Sequence, residues 1–167
     1  MKKEIIYAFI DGQNLYESLN RKGVVFSYEK LRKHLREKYH VAKAIMYLGD
    51  IHKDTYRKAE RAGFSVQKKK SILQIDNYGK LMRKANIDVD LVVGALYDYY
   101  NNYDKAVIMT RDGDFVPLIK ALIKEGKLDL VIVPNRETSA TVFKEEWIKE
   151  KVVCLNDMEE RVELLLQ

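Results

Sequence analysis

The chain has 167 residues, of which 47% are hydrophobic and 33% charged, and a formal net charge of +5. This length suits one domain, and the hydrophobic content excludes a disordered chain. No apolar stretch is long enough to span a membrane, and the single cysteine, Cys154, can form no disulfide within the chain. We therefore predict one cytoplasmic globular domain over residues 1–167, with no membrane partner.

Charge is distributed unevenly along the chain. Residues 1–84 contain 20 Lys and Arg against 9 Asp and Glu, whereas residues 85–167 contain 10 against 16. The first half is therefore net +11 and the second net −6. A basic surface beside a carboxylate-rich site suits a polyanionic partner, although an uneven split can also arise by chance.

Predicted strands and helices alternate in chain order. Short apolar runs that end at turn residues predict buried strands at residues 5–10, 41–48, 106–110, 128–133 and 152–155. Residues 64–70 alternate apolar and polar side chains, which indicates an edge strand. Helical patterns fall at residues 14–20, 27–39, 53–61, 88–100, 115–124, 138–148 and 158–166. Continuous apolar strands separated by helices predict a three-layer α/β domain with a mainly parallel central sheet.

Carboxylates follow the predicted strands, where ligands bind in open parallel sheets. Asp11 ends the first strand, and Asp112 and Asp114 follow the strand at 106–110. Asp88 and Asp90 open the long predicted helix. Gathered carboxylates repel one another unless a cation neutralises them, and Mg²⁺ prefers such oxygen ligands. Alternatively, each aspartate serves only as a turn residue or a helix cap.

Three segments carry a resemblance to a known family: AFIDGQNLY (8–16), IDVDL (87–91) and TRDGDFVPLI (110–119). In this order they resemble the NYN domains of the PIN-like nuclease superfamily, especially the LabA/DUF88 branch. The resemblance implies a Rossmann-like (PIN-like) fold and a ribonuclease that depends on Mg²⁺ or Mn²⁺. Matched by motif, the implied site residues are Asp11, Asn14, Asp88, Thr110, Asp112 and Asp114, with Asp90 as a weaker candidate.

Two positions depart from the family pattern. Arg111 stands where the family usually has glycine, so a cation beside the pocket would either contact phosphate or crowd the site. Gly94 stands where many relatives have another aspartate. Losing that carboxylate would weaken metal binding, leave one ion where relatives hold two, or leave a protein that only binds RNA.

A cationic track would be needed to hold nucleic acid. The expected contacts come from basic residues around the middle of the chain and from one tyrosine that can stack on a base. They are Arg111, Lys68, Lys69, Lys70, Arg83, Lys84 and Tyr78. The alternative is a solvated charged face with no ligand.

The sequence supports three functional hypotheses. The first is a ribonuclease in which Asp11, Asp88 and Asp112 hold a metal ion that activates water, with Asp114 completing the site and Asn14 and Thr110 as positioning groups. The second is a catalytically weak or inactive RNA-binding module. The third, a phosphatase, is disfavoured because Gln13 stands where a second aspartate would be required. The expected partner is single-stranded or structured RNA, with a homodimer or another protein partner left open.

Overall fold

The fold is built on a six-stranded parallel sheet. The computed structural model describes residues 3–20, 27–50 and 53–155. Its strands are β1 (Ile6–Asp11), β2 (Val41–Gly49), β3 (Ser65–Lys69), β4 (Ile72–Ile75), β5 (Leu81–Lys84), β6 (Lys105–Met109), β7 (Leu128–Val133) and β8 (Val152–Cys154). The sheet order is β3-β2-β1-β6-β7-β8, and each neighbouring pair is parallel. The predicted parallel sheet is confirmed.

Helices cover both faces of this sheet. Helices α1 (Gly12–Asn20), α2 (Tyr28–Lys38) and α3 (Lys53–Arg61) pack on one face, and α4 (Asp88–Val93) and α5 (Val116–Lys124) pack on the other. Adjacent strand residues are therefore buried on opposite faces: Ile10 faces the first helical layer and Phe9 the second. This explains why the central strands are continuous apolar runs, and it confirms the predicted three-layer α/β architecture.

Two predicted helices take other forms. The helix predicted at 88–100 is α-helical only over α4 and continues as a π-helical segment, Gly94–Asp98. The prediction of a mostly helical segment at 138–148 is wrong, because only a 3₁₀ turn, Thr141–Lys144, forms there. Its buried residues Phe143 and Ile148 are five positions apart, so one α-helical face would not carry both into the core.

The remaining differences lie at a hairpin and at the end of the chain. Strands β4 and β5 pair antiparallel as a separate two-stranded hairpin, which the sequence patterns did not predict. The helix predicted at 158–166 lies outside the described residues. Within the described ranges, no helix has both the length and the apolar character needed to cross a membrane.

Candidate active site

A cavity of about 690 Å³ lies at the carboxyl ends of β1 and β6. The start of α4 borders it on one side, and the hairpin formed by β4 and β5 borders it on the other. The carboxylates that line it are Asp11, Glu17, Asp76, Asp88, Asp112 and Asp114. Asp11 and Asp112, which follow β1 and β6, therefore meet Asp88 at one cavity although the three lie far apart in the sequence, and strand-end placement predicts this for the first two.

Asp11 is the buried centre of this cavity. It is the last residue of β1 and is only 2% exposed. Its Oδ1 accepts a hydrogen bond from the Asn14 backbone N–H at 3.1 Å. Its Oδ2 accepts from the Asn14 side-chain amide and from Thr110 Oγ1, the latter at 3.2 Å. Three donors thus hold the carboxylate, and none of them is a cation.

Burial dominates the electrostatics of Asp11. It raises the pKa of this carboxyl from 3.8 to about 6. The hydrogen bonds from Asn14 and Thr110 lower the pKa, and the nearby charge of Asp88 raises it further. The carboxylate is therefore ionised at neutral pH but destabilised, which makes it a strong attractor for a cation.

Gly12 allows the chain to turn directly after Asp11. A Cβ at this position would lie 2.7 Å from the Tyr47 carbonyl oxygen and 2.6 Å from Leu48 Cδ2. Only glycine permits this approach to β2, so the Asp-Gly pair reflects a packing requirement as well as a turn. The resulting sharp entry into α1 brings Asn14 back onto Asp11.

The loop after β6 supplies the second group of site residues. Buried Thr110 donates to Asp11 and accepts from the Asp112 backbone N–H at 3.1 Å. Asp112 Oδ1 then accepts from the Asp114 N–H at 2.9 Å, which caps the following 3₁₀ turn. The alternative reading of Asp112 as a cap is therefore correct, and the residue also lines the cavity. Asp114 lies at the exposed rim.

Arg111 is held beside the cavity rather than projecting into solvent. Its Nε donates to Asn14 Oδ1 at 3.1 Å, and its Nη2 forms an ion pair with Glu17 Oε2 at 3.0 Å. Asn14 consequently bridges Asp11 and Arg111. Glu17 was not among the expected site residues. Its contact with Arg111 spans 94 positions in the sequence, so only the packing of α1 beside the β6 loop reveals it.

Asp88 and Asp90 point to different cavities. Asp88 lines the acidic cavity, whereas Asp90 lines a separate cavity of about 410 Å³ beside β3. There Asp90 forms an ion pair with Lys69 at 2.8 Å. The structure thus brings together Asp11, Asp88, Asp112 and Asp114 but does not bring Asp90 to them.

The space beside Gly94 is occupied by Tyr47. A Cβ on Gly94 would overlap the Tyr47 hydroxyl and lie 3.0 Å from its Cζ. Tyr47 is 3% exposed, its hydroxyl has no hydrogen-bond partner among the described residues, and burial raises its pKa. The aspartate expected by family pattern at position 94 therefore has no room unless this phenol moves.

A family model of the NYN domain matches residues 6–147. The chain belongs to the NYN domain family. The match confirms the family that three short motifs predicted, while its LabA/DUF88 branch stays a prediction. No curated protein matches the chain. The crystal structure of a protein of unknown function from Vibrio parahaemolyticus is similar over 100% of both chains, with 21% identity and a TM-score of 0.71. This similarity shows a shared fold.

The acidic cavity of this NYN domain fits a hard divalent cation by its chemistry. Its donors are oxygens, and no described Lys or Arg forms an ion pair with Asp11, Asp112 or Asp114. In the described part of the chain, no three acidic, His or Cys side chains stand close enough to ligate one ion together. Mg²⁺ keeps several waters and needs only one or two direct carboxylates, so the donor set remains suitable.

The expected nucleic-acid contacts are only partly gathered. Lys68 pairs with Glu60 at 2.9 Å, Lys69 pairs with Asp90, and Lys70 lines the second cavity. Tyr78 is exposed at the tip of the hairpin. The side chains of two further candidates lie outside the described structure, although their backbones form part of β5. These are Arg83 and Lys84.

Proposed function

We propose that this NYN domain is a metal-dependent ribonuclease that hydrolyses RNA phosphodiesters at the acidic cavity. The observation that carries the proposal is Asp11, a buried carboxylate with no cationic partner among the described residues, at a cavity lined by Asp88, Asp112 and Asp114. Membership of a PIN-like nuclease family supports the same activity.

The carboxylates would hold Mg²⁺ or Mn²⁺. Asp11 is proposed as a direct ligand together with Asp88 or Asp112, and the remaining carboxylates, including Asp114 at the rim, would hold the ion through its water molecules. When bound, such an ion lowers the pKa of a coordinated water and offsets charge on phosphoryl oxygens. Asp11 is the strongest proposed ligand because cation binding would relieve the cost of its buried charge.

The other site residues would position these carboxylates and the substrate. Asn14 and Thr110 fix the Asp11 carboxylate through three hydrogen bonds, so its orientation needs no rearrangement. Arg111 is anchored by Asn14 and Glu17 at the cavity edge, where its remaining N–H groups can donate to a phosphate. Its substitution for the family's glycine therefore suits substrate binding.

The track for RNA would run from the cavity along the hairpin and β3. Tyr78 can stack on an unpaired base, and Lys70, Arg83 and Lys84 can neutralise phosphates. Lys68 and Lys69 would have to exchange their present carboxylate partners for phosphate. We therefore expect them to contribute less to RNA affinity than Lys70.

A second candidate function is RNA binding without cleavage. It is favoured by the packing of Tyr47 against Gly94, which takes the space of a carboxylate present in many relatives. Under this reading, RNA binds in a salt-dependent manner and no metal produces turnover.

Cleavage of labelled RNA in Mg²⁺, in Mn²⁺ and in EDTA tests the proposal. Asp112→Asn should abolish metal-dependent cleavage while the protein stays folded. Asp76→Asn is a matched control, because Asp76 lines the same cavity but accepts backbone hydrogen bonds in the hairpin turn, which an amide oxygen can also accept. Cleavage that persists unchanged in EDTA would exclude the metal-dependent mechanism. RNA binding with no turnover in either metal would select the second function.

Calorimetric titration with Mn²⁺ alone gives a readout independent of RNA. Binding should be present in the wild type and in Asp76→Asn, and it should be lost in Asp11→Asn. Equal Mn²⁺ binding by the Asp11→Asn protein would refute the assignment of Asp11 as a ligand.

A further inference from the structure

Arg111 brings a positive charge to the edge of a cavity that is proposed to hold a cation. Its side chain is 16% exposed, so the protein rather than solvent surrounds most of it. A single side-chain amide separates the guanidinium from Asp11: the Asn14 amide donates to Asp11 Oδ2 and accepts from Arg111 Nε at 3.1 Å. Guanidinium and carboxylate groups match each other and often pair directly through two hydrogen bonds. Another contact must therefore keep Arg111 from pairing with Asp11.

Glu17 supplies that competing contact. Its Oε2 forms the ion pair with Arg111 Nη2 at 3.0 Å, and its Oε1 accepts a hydrogen bond from Gln13 Nε2 at 3.1 Å. Gln13 and Glu17 are four residues apart on α1, so they lie on the same side of the helix and the helix holds the carboxylate in place. Among the residues that the structure describes, Glu17 is the sole carboxylate in an ion pair with Arg111.

The ion pair also offsets the charge that Arg111 adds to the site. Glu17 itself lines the acidic cavity, so its negative charge lies beside the same space. An unpaired guanidinium there would repel a divalent ion. Because the arginine side chain is long, it could also turn toward the Asp11 carboxylate and pair with it in place of a metal ion. Paired with Glu17, the guanidinium does neither.

We propose that Glu17 is a positioning residue that makes Arg111 compatible with a metal ion at the acidic cavity. Glu17 holds the guanidinium against Asn14 and neutralises it, so that Arg111 does not occupy Asp11 itself. This inference rests on the proposed metal-dependent function. Because Glu17 acts through Arg111, losing Glu17 alone should harm metal binding more than losing both residues.

Calorimetric titration of the full chain with Mn²⁺ tests the proposal in four proteins: wild type, Glu17→Gln, Arg111→Gln and the double variant. Glu17 is 41% exposed and glutamine keeps its shape, so each protein should fold. We expect the Kd for Mn²⁺ to rise about tenfold or more in Glu17→Gln and to be unchanged or lower in Arg111→Gln. In the double variant it should return to within about twofold of the wild type, since the two residues form one coupled pair.

Asp76→Asn is the matched control for the loss of negative charge. Asp76 lines the same cavity but forms no ion pair with Arg111 in the described structure. Its substitution should change the Kd for Mn²⁺ much less than Glu17→Gln does. An equal loss of affinity in Asp76→Asn would assign the effect to the overall charge of the cavity. A double variant that binds Mn²⁺ as weakly as Glu17→Gln would make Glu17 a metal ligand or a structural residue. Either result would overturn the proposal.

A crystal structure of Glu17→Gln without metal gives a second measurement that needs neither RNA nor Mn²⁺. We expect the Arg111 guanidinium to leave Asn14 and to pair with Asp11. A guanidinium that stays on Asn14 would show that Glu17 does not control its position, and the proposal would be wrong. If the wild type binds no Mn²⁺, the proposed metal-dependent function fails, whereas this structure still decides whether Glu17 positions Arg111.

Discussion

Replacing Asp11 by asparagine should make the protein more stable at neutral pH while removing its function. The side chain is 2% exposed, and burial raises the pKa of its carboxyl from 3.8 to about 6. Each pKa unit corresponds to about 1.36 kcal/mol, so the ionised form costs the folded state about 3 kcal/mol. Asparagine removes the buried charge and with it this cost. It also weakens the hydrogen bonds from Asn14 and Thr110, and that loss offsets part of the stabilisation.

The net effect should be a gain of about 1–2 kcal/mol, or about 2–8 °C in Tm for a domain of this size. Its dependence on pH follows from the direction of the shift. Because the folded-state pKa lies above the unfolded value, the carboxyl is protonated in both states below about pH 4 and costs nothing there. The cost grows as pH rises from about 4 to about 6 and is constant above. The stabilisation by Asp11→Asn should therefore appear over this same interval.

Thermal unfolding in EDTA across this pH range measures the effect, with Asp76→Asn at the same cavity as the control. Addition of Mn²⁺ should then raise the Tm of the wild type by mass action and leave that of Asp11→Asn unchanged. An Asp11→Asn protein that is less stable than wild type at neutral pH, or a stability difference independent of pH, would show that the buried charge of Asp11 does not destabilise the folded protein. A Tm rise with Mn²⁺ in both proteins would show that metal binding does not depend on Asp11.

Gly94→Ala should cost about 1–3 kcal/mol in urea unfolding, because its methyl group would overlap the Tyr47 hydroxyl. Tyr47→Phe removes a hydroxyl that has no hydrogen-bond partner among the described residues, so it should be nearly neutral alone and should recover much of that loss in the double variant; additive losses would contradict this packing. Gly12→Ala should cost about 2 kcal/mol or more, because the Tyr47 carbonyl oxygen at 2.7 Å belongs to backbone and cannot turn away; wild-type stability would refute the close approach. Arg111→Lys should lower RNA cleavage several-fold, because lysine cannot reproduce the two contacts to Asn14 and Glu17. It should change the unfolding free energy by less than about 1 kcal/mol. Unchanged cleavage kinetics would show that Arg111 has no role in the reaction.

The central sheet was predictable because its strands are buried on both faces. Such strands are continuous apolar runs, and the predicted strand at 128–133 has the bounds observed for β7. The hairpin of β4 and β5 was not predicted, although Gly79 in the turn between two apolar runs is a hairpin signal. The helix predicted at 138–148 is wrong because these residues form an irregular segment. The spacing of its buried apolar side chains does not follow the helical repeat.

The site was predictable to the extent that it depends on strand ends. Parallel strands place Asp11 and Asp112 at one edge, so their positions follow from the strand assignment alone. The contact of Arg111 with Glu17 depends instead on how α1 packs beside the β6 loop. The sequence could not show that Asp88 and Asp90 line different cavities. That difference depends on the position of β3, where Lys69 forms an ion pair with Asp90 beside the second cavity.

Gly94 is best understood together with Tyr47. As a sequence feature it is only a missing carboxylate, but in the fold its lack of a side chain makes room for a buried phenol on β2. An acidic side chain at position 94 would require the Tyr47 ring to move, so the packing of β2 against the π-helical segment itself excludes a carboxylate there. The carboxylates that remain lie at the ends of β1 and β6 and at the first position of α4. We expect this smaller donor set to hold one ion rather than two, so Mn²⁺ titration should give a stoichiometry of one per chain.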